Sequence, residues 1–297
     1  MLKIITISGL LLISPMILES SNTQLDMASL VNDLMNSSDL IKKRINRSGK
    51  QRMLTQRMSK TAVLVSLNIN SEMNKKALLQ DATLYSTTLN DFKNSKDDFG
   101  FSEKANKQIK AQLILLEGLW NPFFKELRKI IDEKDKKNKA LNYLISHNEK
   151  LLQESNKLVS LYEKSNISQN YIEKAMVSIM NLAGRQRMLS QKMTKEKLLL
   201  VRGQKGYISK LEQTITLFDE SLILLREGSL KKKISKPTNP KIKTQLIEVD
   251  KLWSELKPLF LKSKPSAQEL ASIIQKNITL LDETNKVVAL IEQETEY

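Results

Sequence analysis

Residues 46–60 read NRSGKQRMLTQRMSK, and residues 181–195 read NLAGRQRMLSQKMTK. Nine of these fifteen positions are identical at a constant offset of 135 residues. A segment of this length that recurs within one chain indicates a repeated structural unit. The sequence therefore predicts two copies of one module.

Three further segments recur in the same order and extend the repeat over most of the chain. Residues 84–89, 109–120 and 148–157 match residues 217–222, 242–253 and 277–286, at offsets of 133, 133 and 129. The middle match aligns the only two tryptophans, Trp120 and Trp253. Offsets that drift by a few residues indicate loops of unequal length, so we expect four segments in each copy.

The composition favours helices over strands. The 297 residues include only eight Gly and six Pro, and aromatic residues make up 5%. β-rich folds need turn residues at short intervals, which this chain lacks. An amphipathic helix cannot bury its apolar stripe alone, so we predict an all-α fold of two tandem four-helix bundles. The expected helices are 27–69, 73–95, 102–133, 138–163, 168–203, 207–227, 241–262 and 266–295.

The predicted domains are a signal peptide at 1–21, a first four-helix module at 22–164 and a second at 165–297. Ser266 and Glu269 form a capping box, which predicts the start of the last helix. Nothing between Leu161 and Met176 is a strong helix breaker. One continuous helix that joins the two modules into a rod is therefore compatible with the pattern.

The N-terminus has the pattern of a secretory signal. Lys3 precedes a mostly apolar run at residues 4–18, and small serines follow at Ser20 and Ser21. The run of about 15 residues is short for a membrane span, which needs about 20. We expect export to the periplasm after cleavage, with an uncleaved N-terminal anchor as the alternative.

Several classes of function are disfavoured by the residues present. The chain has no cysteine and one histidine, His147, so neither a thiolate site nor a histidine cluster for zinc is expected. We found no paired carboxylates, nucleophile–base pair or phosphate loop, and we predict no enzyme activity, metal or cofactor. The net charge of +15 comes from lysines scattered among 33 acids, which favours a solvated surface over nucleic-acid binding.

Arginine is concentrated in the two fifteen-residue motifs. They contain five of the nine arginines and no acid. At about 100° per residue, Arg52 and Gln56 interrupt one apolar stripe of their helix, as Arg187 and Gln191 do in the second copy. A guanidinium on a packed face must be paired, either within the protein or with a bound anion. The opposite stripe is also apolar, so we expect the helix to pack on its own bundle with one face and on the sister module, or on a second subunit in a homodimer, with the other.

Residues 183–191, AGRQRMLSQ, resemble the signature of the PilJ-type domain, the N-terminal ligand-binding module of type IV pilus methyl-accepting chemotaxis transducers. That domain is similar to the periplasmic sensor of NarX/NarQ-type nitrate and nitrite histidine kinases, in which an arginine of the corresponding helix grips nitrate across a dimer interface. The resemblance implies a sensor for a small oxyanion, best nitrate or nitrite. The partner that it implies is a membrane histidine kinase or chemoreceptor.

The candidate ligand-binding residues follow from the motif and from this resemblance. Lys192 stands where the first copy has Arg57, and this departure puts the second positive group in doubt. A glycine inside a helix costs about 1 kcal/mol relative to alanine, so each motif glycine indicates a close approach of a ligand or backbone, or else a tolerated weak position. The alternative function is a structural helical adaptor without a small ligand. The candidates are Gly49, Arg52, Gln56, Arg57, Gly184, Arg187, Gln191 and Lys192.

Overall fold

The computed structural model describes residues 20–94, 103–165, 171–232 and 234–293, with side chains from Leu40 onward except at residues 171–174. Within these ranges the protein forms eight α-helices and no β-strand, which confirms the all-α prediction. The helices are α1 Ser20–Ser66, α2 Ser71–Asn94, α3 Glu103–Ile131, α4 Lys139–Ser165, α5 Tyr171–Val201, α6 Ile208–Glu227, α7 Pro240–Leu261 and α8 Ala267–Gln293.

The helix ends follow local chemistry. The backbone N–H of Ser266 donates to Glu269 Oε2 at 2.7 Å, and the N–H of Glu269 donates to Ser266 Oγ at 3.2 Å, so the predicted capping box opens α8. Asn239 caps α7 through its side-chain oxygen, and Pro240 follows at the first helical position. Gly228 ends α6 with a positive φ of 71°, a conformation that glycine adopts without strain.

The two copies fold alike. The ring of Trp120 lies 4.2 Å from that of Tyr85 in the first copy, and the ring of Trp253 lies 4.5 Å from that of Phe218 in the second. These four residues occupy equivalent positions of the repeat. The internal repeat of the sequence is therefore also a repeat of the core packing.

Asp39–Tyr297 form one compact unit that contains the helices of both copies. Met1–Ser38 form a separate unit, of which the structure describes the N-terminal part of α1. Residues 1–19 of the predicted signal peptide lie outside the described residues. No helix in the described ranges combines the length and apolarity that crossing a membrane requires.

The end of α4 and the start of α5 lie side by side. Asn181 Nδ2 donates to Glu163 Oε2 at 2.9 Å, although the two residues are 18 positions apart. On one straight helix, 18 residues would span about 27 Å. The expectation of one continuous helix through the two modules is therefore wrong, because α5 turns back along α4.

Candidate functional site

The two motif helices lie against each other and join the two modules. Arg52 of α1 donates to Asn181 of α5, and further along Arg202 Nη1 of α5 donates to Ser66 Oγ of α1 at 2.6 Å. Both helices therefore run in the same direction. Their shared face brings the two fifteen-residue motifs together inside one chain.

Two arginines meet at this face between two glycines. A Cβ on Gly184 would lie 3.2 Å from Arg52 Nη2 and 3.4 Å from Arg187 Nη2. A Cβ on Gly49 would lie 3.5 Å from Arg187 Nη2 and 3.9 Å from Arg52 Nη2. The missing side chains thus leave room for both guanidinium groups, so the groups that approach these glycines are arginine side chains and not the backbone or ligand that the sequence suggested.

Both arginines are buried, with only 2% of Arg52 and 4% of Arg187 exposed. Arg52 Nη1 donates to Asn181 Oδ1 at 2.9 Å and to Asn156 Oδ1 at 3.3 Å, and its Nη2 donates to the Asn181 carbonyl at 3.1 Å. Among the described residues, Nε of Arg52 has no partner, and neither Nε nor Nη2 of Arg187 has one. None of the ion pairs formed among the described residues includes either arginine.

Burial lowers the pKa of both arginines. Burial, with the nearby charges of Arg185 and Arg187, lowers the pKa of Arg52 to about 9. Burial lowers the pKa of Arg187 to about 10, against the opposing effect of Glu292. Both groups still carry their charge at neutral pH, so two buried positive charges lie beside each other.

The other charged candidates of the motifs are paired within the protein. Arg57 Nε donates to Asp81 Oδ2 at 2.7 Å, in a two-pronged ion pair with α2. Lys192 Nζ lies 3.3 Å from Glu149 Oε2 of α4. The acids that the motifs lack thus come from neighbouring helices, and we do not include Arg57 or Lys192 in the site.

The two glutamines lie in the shared face but do not contact the arginine pair through any bond of the structure. Gln56 Oε1 accepts from Lys195 Nζ at 2.7 Å. Gln191 Nε2 donates to Ser190 Oγ at 3.1 Å, and Gln191 Oε1 is buried without a partner. They lie about one helical turn along from the arginines, and Gln56 connects them to a second polar layer about one turn farther on.

That second layer contains two buried lysines at equivalent motif positions, which sequence reasoning did not single out. Lys195 Nζ bonds to Asn148 Oδ1 at 2.7 Å and to Glu149 Oε1 at 3.2 Å. Lys60 Nζ donates to Asn277 Oδ1 at 3.0 Å. Burial and the charge of Arg57 lower the pKa of Lys60 to about 7, against the opposing charge of Asp81.

Sequence reasoning also missed the asparagines that hold Arg52. Asn181 and its equivalent Asn46 open the two motifs, and Asn156 and its equivalent Asn285 lie in the last repeated segment. Each pair is identical between the copies. An uncharged polar residue that recurs in an apolar helix face was the available signal.

Comparison with known proteins places the repeat in a family. The model of PilJ, described as the type IV pili methyl-accepting chemotaxis transducer N-terminal domain, matches residues 34–144 and 173–277. Each matched range contains one copy of the motif. The match therefore covers both modules and most of the chain.

One curated relative is the methyl-accepting chemotaxis protein McpN of Pseudomonas aeruginosa, which is 33% identical over 135 residues. The aligned segment is 45% of this chain and 24% of McpN, so the chain spans about a quarter of that relative. No solved structure matches the chain significantly.

Proposed function

Because this chain belongs to the PilJ family of chemotaxis transducer N-terminal domains, we propose that it is an exported sensor that binds one small oxyanion between Arg52 and Arg187. Family membership indicates a role in sensory signalling. The proposed anion is nitrate or nitrite. The proposed partner that receives the signal is a histidine kinase or chemoreceptor in the membrane.

The observation that supports the anion is the unpaired arginine pair. A buried ion without a counter-charge costs several kcal/mol, even after the surroundings relax. Here two guanidinium groups share one buried position, and three of their nitrogen atoms have no hydrogen-bond partner. A bound anion would satisfy these donors and lower the repulsion between Arg52 and Arg187.

The size and charge of the site favour a small monovalent anion. Both guanidinium groups lie against the bare backbone of Gly49 and Gly184, so little space separates the two helices. Glu163 and Glu292 bond to Asn181 and Asn46 close behind the arginines, and they offset part of the positive charge. A planar ion such as nitrate fits these conditions better than the dianions sulfate and hydrogen phosphate.

The proposed site is complete within one chain. Each module supplies one arginine and one glycine, at equivalent positions of the repeat. A homodimer is therefore not required for binding, and we expect one anion per chain. The tandem repeat would provide within one polypeptide what two subunits would otherwise provide.

The test is thermal unfolding of the protein with sodium nitrate, nitrite, sulfate and phosphate at constant ionic strength. A ligand at about 100 times its dissociation constant should stabilise the fold by about 2.7 kcal/mol. Arg52→Ala with Arg187→Ala should keep the helix content and lose that response. Arg226→Ala is the matched control, because Arg226 forms a surface ion pair with Asp250 and should not affect binding.

Absence of any anion response in the wild-type protein would overturn the proposal. The three bonds from Arg52 to Asn156 and Asn181 would then favour the structural adaptor, in which the arginines only join helices.

Export is tested separately by cell fractionation. We expect the protein outside the cytoplasm, because residues 4–18 have the pattern of a signal core. Recovery of the full chain, with residues 1–18 intact, from the soluble cytoplasmic fraction would contradict export without affecting the anion site.

A further inference from the structure

The two halves of the arginine site are not equivalent. Arg52 bonds to the side chains of Asn181 and Asn156. At the equivalent positions of the repeat, Arg187 should bond to Asn46 and Asn285. Instead, Arg187 Nε and Nη2 and the side-chain oxygen of Asn46 are all buried without a partner.

The asparagines themselves are held in the same way on both sides. Asn181 Nδ2 donates to Glu163 Oε2 at 2.9 Å, and Asn46 Nδ2 donates to Glu292 Oε2 at 2.6 Å. Each carboxylate thus fixes the amide group of its asparagine. The asymmetry therefore lies in the guanidinium groups, of which only that of Arg52 is engaged.

We propose that the two arginines have unequal roles in the anion site. Arg187 is the principal hydrogen-bond donor to the anion, and Arg52 supplies a fixed positive charge beside it. In this assignment Asn181, held by Glu163, is the positioning residue for Arg52. The assignment rests on the proposed anion site and adds which residue of the pair binds the ligand most directly.

The N–H groups that remain free on each arginine support these unequal roles. Nε and Nη2 form the side edge of a guanidinium, whose two parallel N–H groups match two oxygens of an oxyanion. On Arg187 that edge has no partner, whereas on Arg52 the Nη2 atom donates to the Asn181 carbonyl. An anion can therefore engage the side edge of Arg187 without breaking a bond, whereas Nη2 of Arg52 already gives one of its two N–H groups to the Asn181 carbonyl.

The experiment is calorimetric titration of sodium nitrate into the wild-type protein, Arg187→Lys and Arg52→Lys. Lysine keeps the positive charge and removes the planar fork. A lost two-pronged contact should lower the affinity of Arg187→Lys about 100-fold, and lost positioning should lower that of Arg52→Lys about tenfold or less. Each variant is the matched control for the other, because residues 52 and 187 occupy equivalent positions of the repeat.

Asn181→Ala and Asn46→Ala form the second matched pair. Asn181→Ala should lower nitrate affinity about tenfold, through loss of one bond to a charged group, and Asn46→Ala should lower it less. If Asn181 acts through Arg52, Asn181→Ala should have no further effect when combined with Arg52→Lys. A merely structural role of Asn181 would instead give additive losses.

The outcomes separate the two proposals. Equal losses in Arg187→Lys and Arg52→Lys, or a larger loss in Arg52→Lys, would overturn the unequal roles and leave the anion site intact. Additive losses in the double variant would overturn the positioning role of Asn181. No heat of binding from wild-type protein with nitrate, nitrite, sulfate or phosphate would overturn the anion site itself.

Discussion

The interface between the two modules buries four cations in two layers, and the layers differ in how each charge is accommodated. In the lysine layer, Lys195 lies beside Glu149, and Lys60 has a pKa near 7, so it can lose its proton. In the arginine layer, Arg52 and Arg187 form no ion pair with a carboxylate in the part of the chain that the structure describes, and both hold their protons. A guanidinium cannot relieve its burial by deprotonation at neutral pH. This difference is the reason for placing the proposed anion in the arginine layer.

The largest expected effect concerns the paired lysine. Burial raises the pKa of Glu149, but the charges of Lys195 and Lys192 outweigh this and leave it below its ordinary value. Glu149→Gln removes the counter-charge of a buried lysine and should lower the free energy of unfolding by about 3 kcal/mol. Urea denaturation at pH 7 measures the loss. Glu227→Gln, in an exposed pair with Lys236, should leave stability nearly unchanged, because solvent screens that pair.

The second prediction is that removing a charge from the arginine layer raises the free energy of unfolding instead of lowering it. Arg187→Met replaces a buried, unpaired charge with an apolar side chain of similar length, so the ligand-free protein should gain about 1–2 kcal/mol of stability. The same variant should no longer be stabilised by nitrate. Lys195→Met is the matched control, because it removes one of the two lysines paired with Glu149 and leaves the side-chain oxygens of Gln56 and Asn148 without this donor, so it should destabilise. A loss of stability in both variants would remove the distinction between the layers.

The third prediction uses pH. The pKa of Lys60 is about 7 in the folded protein and has its ordinary value of 10.5 in the unfolded chain, so between these values the unfolded chain binds one more proton. Lys60 should therefore make stability rise with pH in that window, with a slope of up to about 1.4 kcal/mol per pH unit. The difference between wild-type protein and Lys60→Met isolates this slope. The exposed Lys251→Met should leave the slope unchanged, and a flat difference for Lys60→Met would contradict the prediction.

The smallest expected change in stability concerns Gly184, which leaves space for the guanidinium groups of Arg52 and Arg187. Gly184→Ala places a methyl group 3.2 Å from Arg52 Nη2, so the guanidinium must shift. The helix gains about 1 kcal/mol from alanine, and this offsets the steric cost, so stability should change by less than about 1 kcal/mol. Nitrate affinity should fall by several-fold in calorimetry. Gly118→Ala in α3, where a Cβ meets no atom within 4 Å, should gain stability without affecting nitrate.

Local sequence patterns predicted the helices well but not how α4 meets α5. The eight predicted segments match the eight helices to within a few residues, apart from the start of α1. The turn between α4 and α5 was not expected, because no Gly or Pro lies between Leu161 and Met176. Its reason is non-local: α5 buries its apolar residues mainly against α6 and α8, which lie later in the chain.

For the site residues too, the sequence predicted some features, and others depended on tertiary contacts. The absence of acids within the motifs indicated that their arginines need outside partners. Which arginines find such partners depends on neighbouring helices, since Asp81 pairs with Arg57 and no acid of the described residues forms an ion pair with Arg52. Pairing between helices depends on their rotation and separation, which a linear pattern does not contain.

The sequence by itself determined the two modules, their helices and the concentration of arginine and glycine at equivalent positions, because periodicity, capping and repetition are local properties of the chain. Only the tertiary structure decided that Arg52 meets Gly184 and Arg187 meets Gly49 across one shared face. That meeting depends on how the two bundles bury their remaining apolar stripes against each other. The tertiary structure also decided that Arg52 bonds to Asn181 while Arg187 Nε and Nη2 have no partner among the described residues. Equivalent side chains of the two modules need not adopt the same conformation when they pack in one shared space.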